Sequence, residues 1–134
     1  MYSDMNEICF TSSPLESNTS ADNQSIMNSL ACAGHTDGSL TFWDIKMRRC
    51  LAQIGPHSQE VRGVSFSVDG KYLASAGFDH SIIITDTSDL DNLSNVKTLN
   101  HEDKVVSVRW HPFMPLLLST SADRSARVWY PYIV

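Results

Sequence analysis

Short runs of β-branched and aromatic residues, separated by turn residues, dominate the hydrophobic pattern of this chain. The clearest runs are VRGVSFS, YLASAG, SIIIT, VVSVRW and SARVWY. Such runs predict β-strands and leave almost no room for helices. Asp37-Gly38 and Asp69-Gly70 predict tight turns between antiparallel strands. The chain is therefore predicted to be all-β.

The pattern of strands and turns repeats with a period of about 44 residues. His57 and His101 are 44 residues apart, and each is followed at plus 4, plus 7 and plus 9 by an apolar residue. At plus 22 from each histidine stands an aspartate, Asp79 or Asp123. Asp37 begins a third, partial copy, DGSLTFWD. Three to four short strands in each copy predict one four-stranded antiparallel sheet per repeat.

These recurring residues resemble the WD-repeat family, whose repeats of roughly 40 to 45 residues each form one blade of a β-propeller. The resemblance runs from Leu30 to Tyr130 and implies a partial β-propeller of about three blades, the last of them incomplete. In the family, a His, a Ser, an Asp and a Trp of each blade form a hydrogen-bonded tetrad that ties loop, strand and turn together. The residues at those positions are His57, Ser75, Asp79, His101, Ser119, Asp123 and Trp129, with Asp37 and Trp43 in the first repeat.

The three repeats match the family pattern to different degrees. The last repeat has all four tetrad residues, whereas the middle repeat has Thr85 where the Trp is expected. We therefore expect the middle tetrad to be shortened and weaker. In the first repeat no histidine precedes the first strand, and the stretch AGHTDG carries one extra residue before the turn.

One WD-repeat region is predicted to occupy the whole chain, residues 1–134. Its predicted blades are 6–54 with a polar insertion at 11–27, 57–99 with an insertion at 88–95, and 101–134 without an outer strand. Propellers close with 4 to 8 blades, so the smallest ring needs about 160 residues. We expect either a piece of a longer propeller or a chain that closes a ring with copies of itself or with a partner.

Composition and charge exclude several classes of function. The chain has 134 residues, 42% of them apolar, and a net charge of −5, so it lacks the positive field that direct nucleic-acid binding needs. It has no signal-like start and no apolar stretch of the length that crosses a membrane, which predicts neither secretion nor membrane contact. Three scattered cysteines suit reduced thiols, so we expect the nucleus or the cytoplasm.

The sequence contains the residue types of two chemical sites, but neither pattern favours catalysis or metal binding. His, Ser and Asp occur together as in a hydrolase triad, yet the same spacing occurs twice, which indicates a structural set needed once per blade. Cys32 and His35, with Cys50 and His57, lack the second close pair of a zinc site. We therefore expect no enzyme activity, no cofactor and no metal.

The surface is the remaining candidate for function. In WD-repeat proteins, partners usually dock on the loops that enter the first strand and on the turn before the third. The resemblance places Glu60, Arg62, Phe78, Lys104 and Val106 there. Phe78 stands out because aromatic residues are enriched among interface hot spots. It is predicted either to be exposed for a partner or to fold over the neighbouring blade.

The resemblance implies a non-catalytic scaffold that holds other proteins together in a multisubunit complex. The stretches VRGVSFSVDGKYLASAGFDHSIIIT and VRWHPFMPLLL are similar to the WD-repeat subunit of messenger-RNA export complexes of the THO type. The alternatives are a substrate receptor of a ubiquitin ligase and another cytoplasmic signalling scaffold. Against the ligase role, Lys46 stands two residues after Trp43-Asp44, where adaptor-binding members usually have an arginine.

Overall fold

The computed structural model describes residues 4–11 and 30–130, and in these residues it contains strands and no helix. The strands are β1 (Met5–Phe10), β2 (Leu30–His35), β3 (Leu40–Asp44), β4 (Arg49–Ile54), β5 (Val61–Phe66), β6 (Tyr72–Gly77), β7 (Ser81–Asp86), β8 (Ser94–Asn100), β9 (Val105–Trp110), β10 (Leu117–Ser121) and β11 (Ala126–Trp129).

Three antiparallel sheets form from these strands in chain order. Blade one is the sheet β1-β2-β3-β4, blade two is β5-β6-β7-β8, and blade three, in the described part of the chain, is β9-β10-β11. Every paired strand is a sequence neighbour of its partner, as short turns between antiparallel strands require. The prediction of an all-β, partial propeller of about three blades is confirmed, and its described strands form an open arc rather than a ring.

The outer strand of blade two begins earlier than predicted. It starts at Ser94, so the last two residues of the predicted 88–95 insertion belong to the strand. It is longer because β7 extends to Asp86, and Thr85 and Asp86 pair with Asn95 and Ser94. In blade one, the 11–27 insertion lies outside the described residues except for Thr11, whose N–H donates to the carbonyl of Leu30 at 3.1 Å. The last residues, 131–134, are also outside them.

Two hydrophobic clusters hold the three blades together. Between blades one and two, Phe42 packs edge to face against Phe66, with ring centroids 6.5 Å apart. Between blades two and three, small and branched side chains meet, including Ala74, Ile84 and Val108. The innermost strands β1, β5 and β9 lie side by side, with β5 contacting the other two. The blades are therefore stacked through their faces around these strands.

The run YLASAG, which forms β6, does not alternate between apolar and polar residues, and its position in the middle blade explains why. Successive side chains of a strand point to opposite faces. Leu73 belongs to the cluster with blade one, while Ala74 and Ala76 belong to the cluster with blade three. Because blade two has a neighbour on each side, both faces of β6 are buried. Ser75, on this strand, is consequently fully buried as well.

Candidate functional site

A carboxylate closes the turn between the second and third strand of each blade. In blade two, Oδ1 of Asp79 accepts hydrogen bonds from the N–H of Ser81 at 3.2 Å and from its hydroxyl at 2.6 Å. The same two bonds join Asp37 to Ser39 and Asp123 to Ser125. The recurring serine two residues after each aspartate was not among the predicted site residues, although DGS, DHS and DRS are visible in the sequence.

The residue between the aspartate and the serine has a positive φ in every blade. It is Gly38 (φ 88°) in blade one, His80 (φ 72°) in blade two and Arg124 (φ 68°) in blade three. Residues other than glycine rarely adopt a positive φ. The two hydrogen bonds that each aspartate accepts from the serine hold the backbone in this conformation, so the carboxylate caps the turn.

Blade three contains a continuous chain of four hydrogen-bonded side chains. Nδ1 of His101 lies 2.8 Å from Oδ2 of Asp123, and Nε2 lies 2.7 Å from Oγ of Ser119. Nε1 of Trp129 donates to the same Oγ at 2.8 Å. With the imidazole ring neutral, Nδ1–H donates to the carboxylate and Nε2 accepts from Ser119. Each group in the chain then has a partner, although the ring lies fully buried between strands.

Blade two forms the same chain without its last member. Nδ1 of His57 lies 3.0 and 3.1 Å from the two oxygens of Asp79, and Nε2 lies 2.8 Å from Oγ of Ser75. Thr85, at the position of the missing Trp, donates outward to Asn95 at 3.1 Å. The hydroxyl of Ser75 is therefore shared only with His57 and with a backbone carbonyl.

Blade one builds its set from the predicted Trp43 and from two residues that sequence reasoning missed, His35 and Thr41. Its second strand has Ala33 at the serine position, so this strand offers no hydroxyl there. Thr41 on the next strand supplies it, with its Oγ1 2.8 Å from Nε2 of His35 and 2.8 Å from the Nε1 of Trp43. The missing histidine is thus replaced by one in β2. The signal in the sequence was His35 two residues before Asp37.

The turn carboxyl groups of blades two and three both have a lowered pKa. For Asp79, burial acts to raise the pKa, but hydrogen bonds from Ser81 and His57 together outweigh it and lower the pKa below its ordinary value. For Asp123, the hydrogen bond from the Ser125 hydroxyl is the largest influence, and His101 adds to it against the opposing effect of burial. The pKa of Asp123 falls well below the usual range. Both carboxyl groups are consequently ionised at neutral pH.

The buried His, Ser and Asp have the connectivity of a nucleophilic triad but not its accessibility. Oγ of Ser75 and of Ser119 lies within hydrogen-bond distance of Nε2 of the histidine, as in a hydrolase. Both serines are fully buried, with 0% of their surface exposed. A substrate carbonyl cannot reach either hydroxyl. The chemistry left to these sets is to hold each loop and turn in place.

Metal binding finds no site in the described part of the chain, where no group of three or more His, Cys, Asp or Glu side chains could hold an ion. Cys32 is buried in β2, Cys50 is exposed on β4, and His35 bonds to Thr41. Within the same residues, no helix has the length and apolarity to cross a bilayer.

Four of the five predicted partner-binding residues meet at one end of the molecule. The ring of Phe78 is half-buried, with Nζ of Lys104 4.9 Å and the guanidinium of Arg62 5.9 Å from its centroid. The N–H of Phe78 donates to the carbonyl of Glu60 at 2.8 Å. Lys104 belongs to blade three, so Phe78 both contacts the neighbouring blade and keeps part of its ring accessible. We call Glu60, Arg62, Phe78 and Lys104 the Phe78 surface.

The carboxylate of Glu60 organises one side of the Phe78 surface. It accepts from Nδ2 of Asn6 at 2.8 Å and from the guanidinium of Arg62 at 3.4 Å. Asn6 lies on blade one, so the Phe78 surface, whose own residues belong to blades two and three, is also hydrogen-bonded to blade one. Val106, the fifth predicted residue, lies two positions beyond Lys104 on β9 and is 45% exposed.

Stacked antiparallel blades, two of them with a buried His-Ser-Asp set in their loops and turns, define a β-propeller of the WD-repeat class. The family model described as WD domain, G-beta repeat, matches residues 48–86 and 93–130. These matches span more than half of the chain, and the chain belongs to this family. Its members are generally non-catalytic scaffolds for protein interactions.

Individual relatives have several different cellular functions. The chain is 37% identical over 106 residues to the anaphase-promoting complex subunit cdc20 of Dictyostelium discoideum, covering 72% of this chain and 20% of that protein. It is 30% identical over 129 residues to autophagy-related protein 16 of Arabidopsis thaliana, covering 92% and 24%. The chain thus spans about a quarter or less of the length of these curated relatives.

Nearly the whole chain superimposes on a solved propeller. The WD40 repeats of RRP9 superimpose on it with a TM-score of 0.77 at 26% sequence identity, covering 97% of this chain and 36% of that chain. The three blades therefore correspond to about a third of that structure. None of these relatives is named for messenger-RNA export, so they do not show the resemblance to a subunit of an export complex.

Proposed function

We propose that this chain is a non-catalytic scaffold that binds another protein through the Phe78 surface. The observation that carries the proposal is the pair of cations placed over a partly exposed aromatic ring, with Arg62 and Lys104 coming from adjacent blades. Aromatic and arginine side chains are the residue types most enriched at interface hot spots. A partner that covers the ring would contact two blades at once and hold them together.

The complex that this scaffold serves is a separate part of the proposal. The resemblance of the middle repeat to the messenger-RNA export subunit supports a role in messenger-RNA processing or export, in the nucleus. Against the ubiquitin-ligase role, the chain has Lys46 in place of the arginine expected after Trp43-Asp44. A cytoplasmic signalling scaffold is the third role. The partners recovered in the experiment below distinguish these three.

We also propose that the outer faces of the arc are covered by further blades or by another copy of the chain. Ala74 and Ile84 of blade two are fully buried under blade three. The equivalent residues of blade three, Leu118 and Val128, are 46% and 65% exposed. On blade one, Phe10 is 63% exposed. Light scattering coupled to size exclusion tests self-association, and a monomer at all concentrations would leave only further blades as the cover.

Affinity capture with matched variants tests the proposed binding surface. The wild-type chain, Phe78→Ala and Met47→Ala are compared by quantitative mass spectrometry of the captured proteins. Met47 is 64% exposed on the β3–β4 turn, away from the Phe78 surface, and is the control. We expect one set of proteins to be depleted by Phe78→Ala and retained by Met47→Ala.

The identity of the depleted set distinguishes the proposed roles. Messenger-RNA export factors in that set support the export complex, and ligase adaptors support the substrate receptor. If all three baits recover the same proteins in equal amounts, while the melting temperature of Phe78→Ala equals that of the wild type, the Phe78 surface is not the binding site.

A further inference from the structure

We propose that Asn6 is a positioning residue of the Phe78 surface, so that partner binding there depends on the docking of blade one against blade two. The inference rests on the proposed function and deepens it, because it names what holds that binding surface in its arrangement. Asn6 lies on β1 of blade one, outside the Phe78 surface itself. Its side chain nevertheless bonds to two groups of blade two.

A β-bulge directs the side chain of Asn6 toward blade two. In the pairing of β1 with β2, Met5 lies opposite His35 and Glu7 lies opposite Gly34, so Asn6 is the extra residue between them. A bulge of this kind takes a side chain out of the regular alternation of its strand and points it in a new direction. The side chain of Asn6 can therefore reach the start of β5, the adjacent innermost strand.

The same bulge recurs at the equivalent position of the other two innermost strands. In β5 the extra residue is Arg62, between Val61 and Gly63. In β9 it is Val106. Arg62 and Val106 were both predicted to bind a partner, whereas Asn6 was not. The three bulged residues lie at the same end of the three strands, and one of them, Arg62, belongs to the Phe78 surface.

The two contacts of Asn6 require a hydrogen-bond donor at position 6. Nδ2 of Asn6 donates to Oε1 of Glu60 at 2.8 Å and to the carbonyl of Val61 at 3.1 Å. Both partners are acceptors, and the amide NH₂ carries two donors, so one side chain satisfies both. A hydrogen bond to a carboxylate is about twice as strong as one between neutral groups. A carboxylate at position 6 would offer no donor and would repel Glu60.

Glu60 connects Asn6 with the aromatic ring in two ways. The backbone carbonyl of Glu60 accepts from the N–H of Phe78 at 2.8 Å. Its carboxylate accepts from the guanidinium of Arg62 at 3.4 Å, and that guanidinium lies 5.9 Å from the centroid of the Phe78 ring. Fixing the carboxylate therefore limits where the guanidinium can lie. The contacts run without a gap from blade one to the ring of the Phe78 surface.

The exposure of these groups shows why Asn6 is needed to hold Arg62. The side chain of Arg62 is 46% exposed and that of Glu60 is 29% exposed. An ion pair of this length at the surface contributes little by itself, so it does not fix the guanidinium. The shorter bond from Asn6, which is half-buried, fixes the carboxylate instead. A surface held in place before the partner arrives loses less entropy on binding.

Nuclear magnetic resonance of the full 134-residue chain tests the positioning without a partner. In Asn6→Asp, we expect the Overhauser contact between the Arg62 side chain and the Phe78 ring to fall below half of its wild-type intensity. The matched control is Asn92→Asp in the loop between β7 and β8. Asn92 donates to the carboxylate of Asp89 at 2.9 Å, so the control makes the same charge change and breaks the same kind of bond elsewhere. It should leave the contact unchanged.

Affinity capture tests the consequence for binding. The probe is the set of proteins that the wild-type chain captures and Phe78→Ala loses. We expect Asn6→Asp to lower the recovery of this set at least fivefold, and Asn92→Asp to leave it unchanged. Glu60→Gln then provides a rescue, because an amide at position 60 can donate to a carboxylate at position 6. In that background, Asn6→Asp should change both the recovery and the Overhauser contact of Arg62 less than twofold.

The outcomes separate this inference from the proposed function. If Phe78→Ala loses no proteins, the proposed function is wrong, and the Overhauser contact alone decides whether Asn6 positions the surface. If Asn6→Asp retains the proteins that Phe78→Ala loses, the proposed function stands and the role of Asn6 is wrong. An unchanged contact between Arg62 and the ring in Asn6→Asp would also overturn that role. Equal losses with and without Glu60→Gln would do the same, because they would not depend on the bond to Glu60.

Discussion

Blades two and three contain the same histidine, serine and aspartate at the same spacing, yet they differ in how completely those groups are hydrogen-bonded. In blade three the Ser119 hydroxyl accepts from Trp129 and reaches His101. In blade two, Ser75 has no indole donor, and its hydroxyl reaches His57 and the carbonyl of Ile83. The same core set thus exists in a longer and a shorter form within one chain.

The surroundings of the two sets explain how blade two can omit the tryptophan. Blade two has a neighbour on each face, and Ser75 and Thr85 are both fully buried. Blade three has one face open, and Trp129 packs on the covered face, edge to face with His101. In blade two, burial between two neighbouring blades stabilises the set that lacks a tryptophan. In blade three, which has one neighbour, the hydrogen bond from Trp129 adds to the stability of the set. The comparison separates packing from hydrogen bonding as sources of stability.

The largest effect is expected from Gly77→Ala in blade two. A Cβ at this position would collide with Nδ1 of His57 and Oδ1 of Asp79, so the substitution separates the two. Overpacking and a broken buried pair together are expected to cost about 3 kcal/mol or more. Urea denaturation followed by circular dichroism measures the loss.

Two positions serve as controls for the Gly77 substitution. Blade three has Ser121 at the equivalent position, where the hydroxyl donates to the carbonyl of Lys104 at 2.9 Å, so a side chain is compatible with that turn. A methyl group added at Gly55 would meet no atom within 4 Å, and Gly55→Ala should leave stability unchanged. Equal stabilities of the two alanine variants would contradict the role of the His57–Asp79 pair.

The next largest effect is the difference in stability lost when each of the two buried serines is replaced by alanine. Ser119→Ala removes the partner of two side chains, His101 and Trp129, and is expected to cost about 3 kcal/mol. Ser75→Ala removes the partner of His57 alone and is expected to cost about 1.5 kcal/mol. Both serines are fully buried, so a difference in burial does not bias the comparison. A larger loss of stability for Ser75→Ala, measured by urea denaturation, would show that packing rather than the tryptophan bond dominates.

The smallest effect is expected in mild acid. Because the pKa of each carboxyl is lowered on folding from an ordinary value of 3.8, Asp79 and Asp123 stabilise the fold above that pH. Their contribution declines as the pH falls below about 3.8 toward their lowered values. Melting temperatures from pH 7 to pH 3 should fall more steeply for the wild type than for Asp123→Asn. Parallel curves would mean that Asp123 has the same pKa in the unfolded chain.

The blades and the His-Ser-Asp sets of blades two and three could be predicted from the sequence because both are repeated. His101, Ser119 and Asp123 recur at fixed offsets from one another, and a hydrogen-bond set that every blade needs leaves such a pattern. The set of blade one was not fully predicted, because the serine position is occupied by Ala33 and the hydroxyl comes from Thr41 on the next strand. Such an exchange conserves the geometry of the bonds while it changes their positions in the sequence.

The groove at the ends of β1, β5 and β9, lined by Phe66, Arg109 and Phe113, was not predicted, since it has no repeated pattern. Its walls come from three strands that are distant in sequence, and Phe10, Phe66 and Phe113 have ordinary strand and loop contexts when taken singly. The unpaired indole of Trp110 depends on the packing of its neighbours. Features that arise from the meeting of blades require the structure.

Photo-crosslinking at position 78 tests directly whether a partner protein binds at the Phe78 surface. A photoreactive phenylalanine analogue replaces Phe78 in one chain and the exposed Met47 in another, and crosslinked proteins are identified after irradiation in cells. We expect a discrete crosslinked protein from position 78 and background from position 47. Equal background from both positions, or a discrete product from position 47 alone, would contradict it.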